Sequence, residues 1–480
     1  MAANPAARHR RWPVIACCAA LAFCVCPPAA TRADTLQEKA AALVREYERS
    51  SKAIVGVSAV DLASRRMIIG IRAETPRIPA SNQKLLTGAF ILARYGGGYE
   101  FKTACYRRGD DLVVVGAYDP ALGDPKLAEE DGDGVYADLD AWAKAAKRAF
   151  GDRIAGDLVL SPPANLESYR HPDWPTNQHH RAYAAPVAAL NFHNNCIDVS
   201  FGADPARTRP KLVPGVEGIR VVNRVKIGKQ NLWSLRLSEG DAVATLRGTV
   251  TAKGTWPLSV PVNDPPMLLG RVFADRLAKA DVALGGALRV MGPIPASAAM
   301  TPLAESRTSL ADVMRRALKR SLNMAAECML LRAGDGTWGG SAAILQGSLA
   351  QTFEVAAGQM SAADGSGLSR RNRASPAAIV KVLVGVAARE DRDVLLDALP
   401  VSGVDGTLAR RMTKANYRRR VRAKTGYILG VCCLSGYVVD GSGVPKVAFS
   451  VMANEVPAGK AWVAKKLQDA ICRAIVDSLE

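Results

Sequence analysis

The sequence predicts an α+β protein in which one sheet domain is interrupted by a large β-rich insertion. Five segments that read as strands lie near the two ends of the chain, at 54–62, 66–72, 423–428, 431–439 and 445–454. Between these groups, residues 101–262 alternate short β runs with loops rich in Pro and Gly. We therefore expect residues 34–100 and 263–480 to form one domain, with 101–262 inserted as one or two nested subdomains.

Apolar residues at helical spacing separate the two groups of strands. The first helix is predicted over 35–50, and a second opens at Ser81 and stops at the glycines 96–98. Further helices are predicted at 266–281, 309–318, 324–333, 342–354, 376–388 and 459–478. The helix at 459–478 is amphipathic and is expected to pack on the sheet through Trp462, Leu467, Ile471 and Ile475. Any membrane association is therefore expected to be peripheral at most.

The N-terminal residues have the layout of a secretory signal peptide. Three arginines precede an apolar run of 15 residues, Trp12 to Cys26, and small residues follow the run up to Ala33. This run is short for a membrane span, so an uncleaved anchor is the weaker alternative. We expect residues 1–33 to be a signal peptide and the protein to be exported to the periplasm or cell envelope.

The chain is basic, and its charge bears on the partners that it can meet. Its formal net charge is +18, or +14 without the four arginines of residues 1–33. Such a charge favours anionic surroundings such as wall polymers or lipid headgroups, but a solvated basic surface is the simpler interpretation. Nucleic acid is not expected because no aromatic-basic module accompanies the charge. Six of the ten cysteines follow the signal, too few for a disulfide scaffold. A Cys105–Cys196 disulfide stays open on the sequence alone.

Three short motifs indicate nucleophilic catalysis. Ser81 and Lys84 are three residues apart at the start of a helix, so their side chains share one face. Ser321 and Asn323 follow in a loop between two helices, and Lys424-Thr425-Gly426 lies on a strand. A serine hydroxyl needs a base to take its proton, and a lysine can serve when burial and positive neighbours lower its pKa.

Histidine-based and metal-based mechanisms fit the sequence less well. The chain has no G-x-S-x-G elbow, and the histidines beyond the signal all lie in the insertion, at His171, His179, His180 and His193. Adjacent histidines seldom chelate one ion, and no acid or thiol stands at ligand spacing from the pair at 179 and 180. We expect no metal and no organic cofactor.

The three motifs and the string Asp364–Arg370 resemble the low-molecular-mass class C penicillin-binding proteins, the D-Ala-D-Ala carboxypeptidases of peptidase family S13. The resemblance implies a transpeptidase domain like that of penicillin-binding proteins and serine β-lactamases, with an antiparallel five-stranded sheet. It also implies carboxypeptidase or endopeptidase action on peptidoglycan stem peptides through an acyl-enzyme on Ser81. β-Lactam antibiotics would act as inhibitors.

The resemblance assigns roles to the second and third motifs. Ser321 would relay a proton to the leaving amine, and Asn323 would hold the scissile peptide and orient Lys84. Two backbone N–H groups, those of Ser81 and Tyr427, would stabilise the oxyanion.

The residues of the third motif are expected to bind the substrate. Lys424 supplies positive charge and Thr425 a hydroxyl for a terminal carboxylate. Gly426 would let the substrate backbone approach and pair with the strand.

One substrate-binding region departs from the family pattern. Relatives carry an acid after W-P-x-N in the insertion, followed five residues on by an aromatic residue. Together with the arginine of G-S-G-L-S-R, these groups would hold the free end of a diaminopimelate side chain. Here Gln178 stands in place of the acid, with Tyr183 and Arg370 at the other two places. We therefore expect weaker selectivity for that side chain.

Two other functions compete with this interpretation. A serine β-lactamase shares the motifs, but the large insertion and the lack of a separate deacylating glutamate motif count against it. A non-catalytic peptidoglycan-binding protein on the same scaffold is disfavoured by the complete set of motif residues.

Overall fold

The computed structural model of the chain describes residues 32–162, 168–202, 210–215, 219–238, 243–255, 257–294 and 299–480. Residues 1–31 of the predicted signal peptide lie outside the described residues. The helices are α1 (Arg32–Ser51), α2 (Gln83–Tyr95), α3 (Pro125–Asp131), α4 (Ala137–Phe150), α5 (Pro265–Lys279), α6 (Leu310–Lys319), α7 (Asn323–Ala333), α8 (Trp338–Phe353), α9 (Pro376–Ala387), α10 (Asp393–Leu396) and α11 (Ala461–Leu479).

The strands come from both ends of the chain and from the insertion. They are β1 (Ile54–Asp61), β2 (Met67–Ile71), β3 (Glu100–Arg108), β4 (Asp111–Gly116), β5 (Arg153–Ile154), β6 (Leu158–Ser161), β7 (Cys196–Phe201), β8 (Pro210–Val213), β9 (Arg220–Ile227), β10 (Leu232–Leu237), β11 (Val243–Val250), β12 (Leu258–Pro261), β13 (Ala283–Leu284), β14 (Leu288–Val290), β15 (Thr301–Ser309), β16 (Met360–Ser361), β17 (Arg373–Ala374), β18 (Val421–Ile428), β19 (Val431–Val439) and β20 (Pro445–Asn454).

The five strands predicted at the chain ends form one antiparallel sheet in the order β18-β19-β20-β1-β2. Successive residues of a strand face opposite sides, so Cys432 packs in one core with α1 and α11 while Cys433 packs in the other with α2 and α9. Helices therefore cover both faces of the sheet, and β18 is left as its edge strand.

A second five-stranded sheet, in the order β14-β6-β4-β3-β15, corrects the predicted boundary of the insertion. Strand β3 pairs antiparallel with β15, whose residues 301–309 were assigned to the catalytic domain. Strand β14 (288–290) lies at the other edge of this sheet, and helix α5 packs against β14 and β6. The chain thus returns to the first sheet domain near residue 310, not near 263.

The insertion contains helices as well as the predicted β-strands. Helix α4 buries Leu139, Trp142 and Ala146 against α5, although this segment was not predicted to be helical. Two three-stranded sheets, β10-β11-β9 and β12-β7-β8, share one hydrophobic core with the second five-stranded sheet. The insertion therefore has its own core, separate from the two cores of the first sheet.

Three further features bear on the sequence analysis, namely the cysteine pair, the buried face of α11 and the presence or absence of membrane-spanning helices. Cys105 and Cys196 are buried free thiols, so the open question of a disulfide between them is answered in the negative. Leu467, Ile471 and Ile475 of α11 are buried as predicted, but Trp462 is 54% exposed. Within the described ranges, no helix is long and apolar enough to cross a bilayer.

Candidate active site

The first motif lies in a strained turn that leads into α2. Residues Ala80–Asn82 form one 3₁₀ turn, and Ala80 has a left-handed φ of 46°. Gly367 packs against this turn so closely that an added Cβ would lie 1.8 Å from the carbonyl oxygen of Ala80. Strained backbone that its surroundings hold in place is typical of functional sites, and here it presents the Ser81 hydroxyl at the surface of a groove.

Lys84 is fully buried one turn after Ser81. Its ammonium donates hydrogen bonds to Ser81 Oγ at 3.2 Å, Asn323 Oδ1 at 2.6 Å and the Ser366 carbonyl oxygen at 2.9 Å. These contacts account for all three protons that the ammonium can donate. Burial lowers the pKa of Lys84 to about 8, because the charged form loses its hydration.

The second and third motifs meet through a second buried lysine. Lys424 donates to Ser321 Oγ at 3.0 Å and to the Thr425 carbonyl oxygen at 2.7 Å. Burial, and then the positive charge of Lys84, hold the pKa of Lys424 well below its usual range. Ser321, like Ala80, has a left-handed φ, here 58°. The hydroxyl of Ser321 is therefore held toward Lys424 by a local backbone conformation that few residues adopt.

Strand β18 presents the rest of the third motif along the edge of the sheet. The Thr425 hydroxyl donates to Thr407 Oγ1 at 2.9 Å, and Tyr427 is 57% exposed at the groove rim. Gly426 packs against the turn that carries Ser81. A Cβ at Gly426 would lie 2.7 Å from the Pro79 carbonyl oxygen, so glycine is needed there for β18 to pack against the turn that carries Ser81.

A groove of about 930 Å³ contains most of the predicted site residues. It is lined by Ser81, Pro175, Gln178, Tyr183, Ser321, Asn323, Gly367, Leu368, Arg370, Tyr427, Ile428, Leu429 and Gly430. Lys84 and Lys424 lie behind its wall. The Tyr183 hydroxyl donates to Gln178 Oε1 at 3.2 Å, and Arg370 donates to the Leu429 carbonyl oxygen at 2.8 Å. The structure thus brings Gln178, Tyr183 and Arg370 to the same groove as Ser81.

The insertion forms one wall of this groove because two hydrogen bonds fix it to Asn323 and to Asp364. Asn323 Nδ2 donates to the Tyr183 carbonyl oxygen at 2.7 Å. The indole of buried Trp174 donates to Asp364 Oδ2 at 2.9 Å. Asp364 also accepts the backbone N–H groups of Gly367 and Ser369, at 2.7 Å and 2.6 Å. The carboxylate of Asp364 therefore joins the insertion to the loop that supports Lys84.

Glu327 is a buried site residue that the sequence analysis missed. It lies one helical turn after Asn323, and its carboxylate accepts the N–H groups of Gly365 at 2.7 Å and Ser366 at 2.8 Å. Burial and the nearby Asp364 raise the pKa of Glu327 to about 8. One signal was available in the sequence, namely a lone acid within the otherwise apolar run of residues 324–331.

This arrangement of motifs can be compared with known proteins. The sequence profile of the D-Ala-D-Ala carboxypeptidase 3 (S13) family matches residues 36–475. The chain belongs to the S13 family. The predicted membership of a serine-peptidase family of D-Ala-D-Ala carboxypeptidases is therefore confirmed.

Individual S13 relatives are similar over most of the chain. A D-alanyl-D-alanine carboxypeptidase of Actinomadura sp. (strain R39) is 29% identical over 84% of this chain and 78% of its own length. The D-alanyl-D-alanine carboxypeptidase DacB of Haemophilus influenzae is 26% identical over 84% of this chain and 86% of its own length.

The fold is similar to that of a protein whose crystal structure is known. The crystal structure of penicillin binding protein 4 (dacB) from H. influenzae superposes with a TM-score of 0.74 at 23% identity, covering 91% of this chain and 99% of that one. A second crystal structure of the same protein, complexed with a β-lactam, gives a TM-score of 0.70 at 22% identity. The predicted α+β class is confirmed.

Proposed function

We propose that this chain is an exported serine D-Ala-D-Ala carboxypeptidase/endopeptidase that cleaves peptidoglycan stem peptides through an acyl-enzyme on Ser81, and that β-lactams inhibit it. One observation carries the proposal. The fully buried Lys84, with a lowered pKa, contacts the Ser81 hydroxyl that opens on the groove. A base whose pKa lies near the working pH is suited to take the serine proton.

In the acylation step, Ser81 Oγ attacks the carbonyl carbon of the penultimate D-Ala while Lys84 takes the hydroxyl proton. The backbone N–H groups of Ser81 and Tyr427 stabilise the oxyanion that forms. The C–N bond then breaks, the departing amine takes a proton from Ser321, and Ser321 recovers a proton from Lys84, which is left neutral for the next step. Lys424, 3.0 Å from Ser321 Oγ, donates to that hydroxyl and stabilises the charge that develops there.

Deacylation restores the enzyme. A water molecule attacks the Ser81 ester and gives a proton to the neutral Lys84. The ester C–O bond then breaks, the shortened stem peptide leaves, and Lys84 returns the proton to Ser81 Oγ. The same chemistry on a β-lactam leaves an acyl-enzyme, because the amine produced by ring opening stays attached to the acyl group. Inhibition by β-lactams and peptide hydrolysis therefore use one nucleophile.

The substrate is held by its backbone and by its terminal carboxylate. The outer side of β18, from Lys424 to Ile428, carries no further strand among the described residues, so an extended peptide can pair with it. Thr425 and Thr407 supply hydroxyls, and Lys424 supplies positive charge, for the carboxylate. We expect an endopeptidase substrate to bind in the same way, with a second stem peptide as leaving group.

Release of D-Ala from a synthetic stem pentapeptide tests this proposal. We expect stoichiometric release of the terminal D-Ala, blocked by prior treatment with penicillin. Fast turnover of penicillin without peptide cleavage would instead indicate a serine β-lactamase. Peptide binding without cleavage or acylation would indicate a non-catalytic peptidoglycan-binding protein.

The rate of acylation should depend on the protonation of Lys84. Below its pKa the lysine carries a proton and cannot act as base, so the rate constant should rise with pH and level off above about 8. An ordinary lysine would place this rise near 10.4. The measurement is the second-order rate constant for penicillin acylation between pH 6 and 10, with thermal unfolding followed at each pH as control. A rate that is constant through pH 8 would contradict the assignment of the base.

Glu327→Gln should change both stability and this pH profile. A glutamine can accept only one of the two backbone N–H groups of Gly365 and Ser366, and an unpaired buried N–H costs about 1–3 kcal/mol. We expect the thermal midpoint to fall by several degrees. Since the Glu327 carboxylate raises the pKa of Lys84, its removal should move the rise in acylation to lower pH. Substitution of the exposed Glu354 in Glu354→Gln is the control. A pH profile that is the same in Glu327→Gln and in the unmodified protein would contradict the electrostatic coupling between Glu327 and Lys84.

Gln178→Asp should strengthen the preference for a stem peptide with a free side-chain amine. Gln178 lines the groove beside Tyr183 and brings no charge, whereas an ionised acid makes a contact with an ammonium about twice as strong as a neutral hydrogen bond. We expect kcat/KM for a peptide with the amine free, relative to its acetylated form, to rise by very roughly tenfold. Gln178→Asn is the control. If this ratio does not change in Gln178→Asp, position 178 does not contact the side-chain amine of the substrate.

A further inference from the structure

The three-stranded sheet of the insertion has one buried face and one basic face. Its order is β10-β11-β9, and residues directly opposite each other across the strands point to the same side. Leu235, Ala244, Leu246 and Val250 face the core of the insertion. The opposite side, here called the basic face, carries five exposed cations, namely Arg220, Arg224, Lys226, Arg236 and Arg247.

The cations of the basic face are not neutralised within the described residues. Strands β9, β10 and β11 contain no acid at all. None of the five cations forms an ion pair among the described residues. Arg247 and Arg224 even stand directly opposite each other on neighbouring strands, an arrangement of like charges that is unfavourable without a counter-charge. The acids nearest in sequence, Glu217, Glu239 and Asp241, lie outside the described residues.

Two features of the basic face indicate what the counter-charge is. A concavity of about 490 Å³ is lined by two arginines, three hydroxyl-bearing residues and two apolar residues, namely Arg236, Arg247, Ser234, Ser238, Thr245, Leu237 and Val243. Guanidinium and hydroxyl donors around a small hollow suit a phosphate group. At the far end of the face, Leu232 is 67% exposed in the same row as Lys226. An apolar side chain beside cations fits a lipid surface better than a soluble polyanion, since it can enter the boundary of the acyl chains.

We propose that the basic face of β9, β10 and β11 docks the protein on the surface of an anionic lipid bilayer, with lipid phosphates in the concavity and Leu232 at the acyl boundary. Arginine and lysine side chains near such a surface each add to binding, and the contribution falls with rising salt. Docking of this kind needs no helix that crosses the bilayer. It is independent of the chemistry at Ser81.

Sedimentation with lipid vesicles tests this docking. The full chain is mixed with vesicles of phosphatidylcholine, either pure or containing roughly a third phosphatidylglycerol. We expect binding to the anionic vesicles alone, weakened by salt. The variant Arg224→Gln/Lys226→Gln/Arg247→Gln should bind about two orders of magnitude more weakly. The control Lys39→Gln/Lys144→Gln/Arg148→Gln removes three exposed charges elsewhere and should lose only a few-fold. The rate of penicillin acylation is measured for every variant as the control for folding, and we expect it to be unchanged.

Leu232→Ser distinguishes a bilayer from a soluble polyanion. We expect this variant to bind anionic vesicles several-fold more weakly and soluble polyphosphate equally well. Equal losses of vesicle binding in the two triple variants would overturn the proposal, because net charge alone would then account for binding. If polyphosphate binds as tightly as vesicles and Leu232→Ser changes neither affinity, the bilayer is likewise the wrong partner.

Discussion

Ser81→Ala is expected to abolish penicillin acylation and to reduce stem-peptide hydrolysis by about six orders of magnitude, as removal of the nucleophile does in other serine enzymes. The substitution removes the Ser81 oxygen that Lys84 contacts at the open side of the site, and it leaves the Asn323 and Ser366 contacts of Lys84 in place. The fold should therefore be preserved. Kinetics with a stem pentapeptide and thermal unfolding measure the two effects.

Ser366→Ala is the matched control for this variant. Ser366 lies beside Lys84, but Lys84 contacts its backbone carbonyl and not its hydroxyl. Acylation should therefore survive in Ser366→Ala. Substantial hydrolysis by Ser81→Ala, or its loss in both variants with the fold intact, would contradict the assignment of Ser81.

Lys84→Met should reduce acylation by several orders of magnitude while Ser81 remains in place. Methionine fills a similar volume but cannot take a proton, so the hydroxyl loses its base. The carbonyl oxygens of Asn323 and Ser366 each lose a donor, which destabilises the fold. The substitution also removes the cost of burying an ammonium, which offsets part of this loss. We expect the thermal midpoint to move by only a few degrees.

Lys84→Arg separates charge from proton transfer. Arginine keeps the positive charge but cannot give up a proton at working pH, so it should be as inactive as methionine. Its larger side chain must fit where Lys84 is fully buried, and we expect a lower thermal midpoint. Acylation at a near-normal rate in either variant would require a different base.

The first sheet was predictable because its strands are short runs rich in apolar and β-branched residues and stand next to clear helices. The end of the insertion was not, because β15 reads Thr-Pro-Leu-Ala-Glu-Ser-Arg-Thr-Ser and has few apolar residues to mark a strand. Its place is set by pairing with β3, about 200 residues away in sequence. Helix α4 did carry a signal, since Leu139, Trp142, Ala143 and Ala146 have helical spacing, but it stands among loops.

The motif residues of the site were predictable because their types and spacing carry the chemistry. Their supports were not. Glu327 acts through the backbone N–H groups of a loop some 40 residues away, and Asp364 holds that loop against Trp174 of the insertion. Thr407 contacts Thr425 from a segment without a motif. Hydrogen bonds to backbone groups and contacts with residues distant in sequence leave no pattern in a single sequence, so only the fold reveals them.

The central claim is that Ser81 becomes covalently acylated. Intact-mass measurement of the full chain after penicillin treatment, followed by peptide mapping, tests it most directly. The account predicts one adduct of the mass of the opened penicillin, on the peptide that contains Ser81. No adduct, or an adduct on the peptide of Ser321 or Ser366, would contradict it.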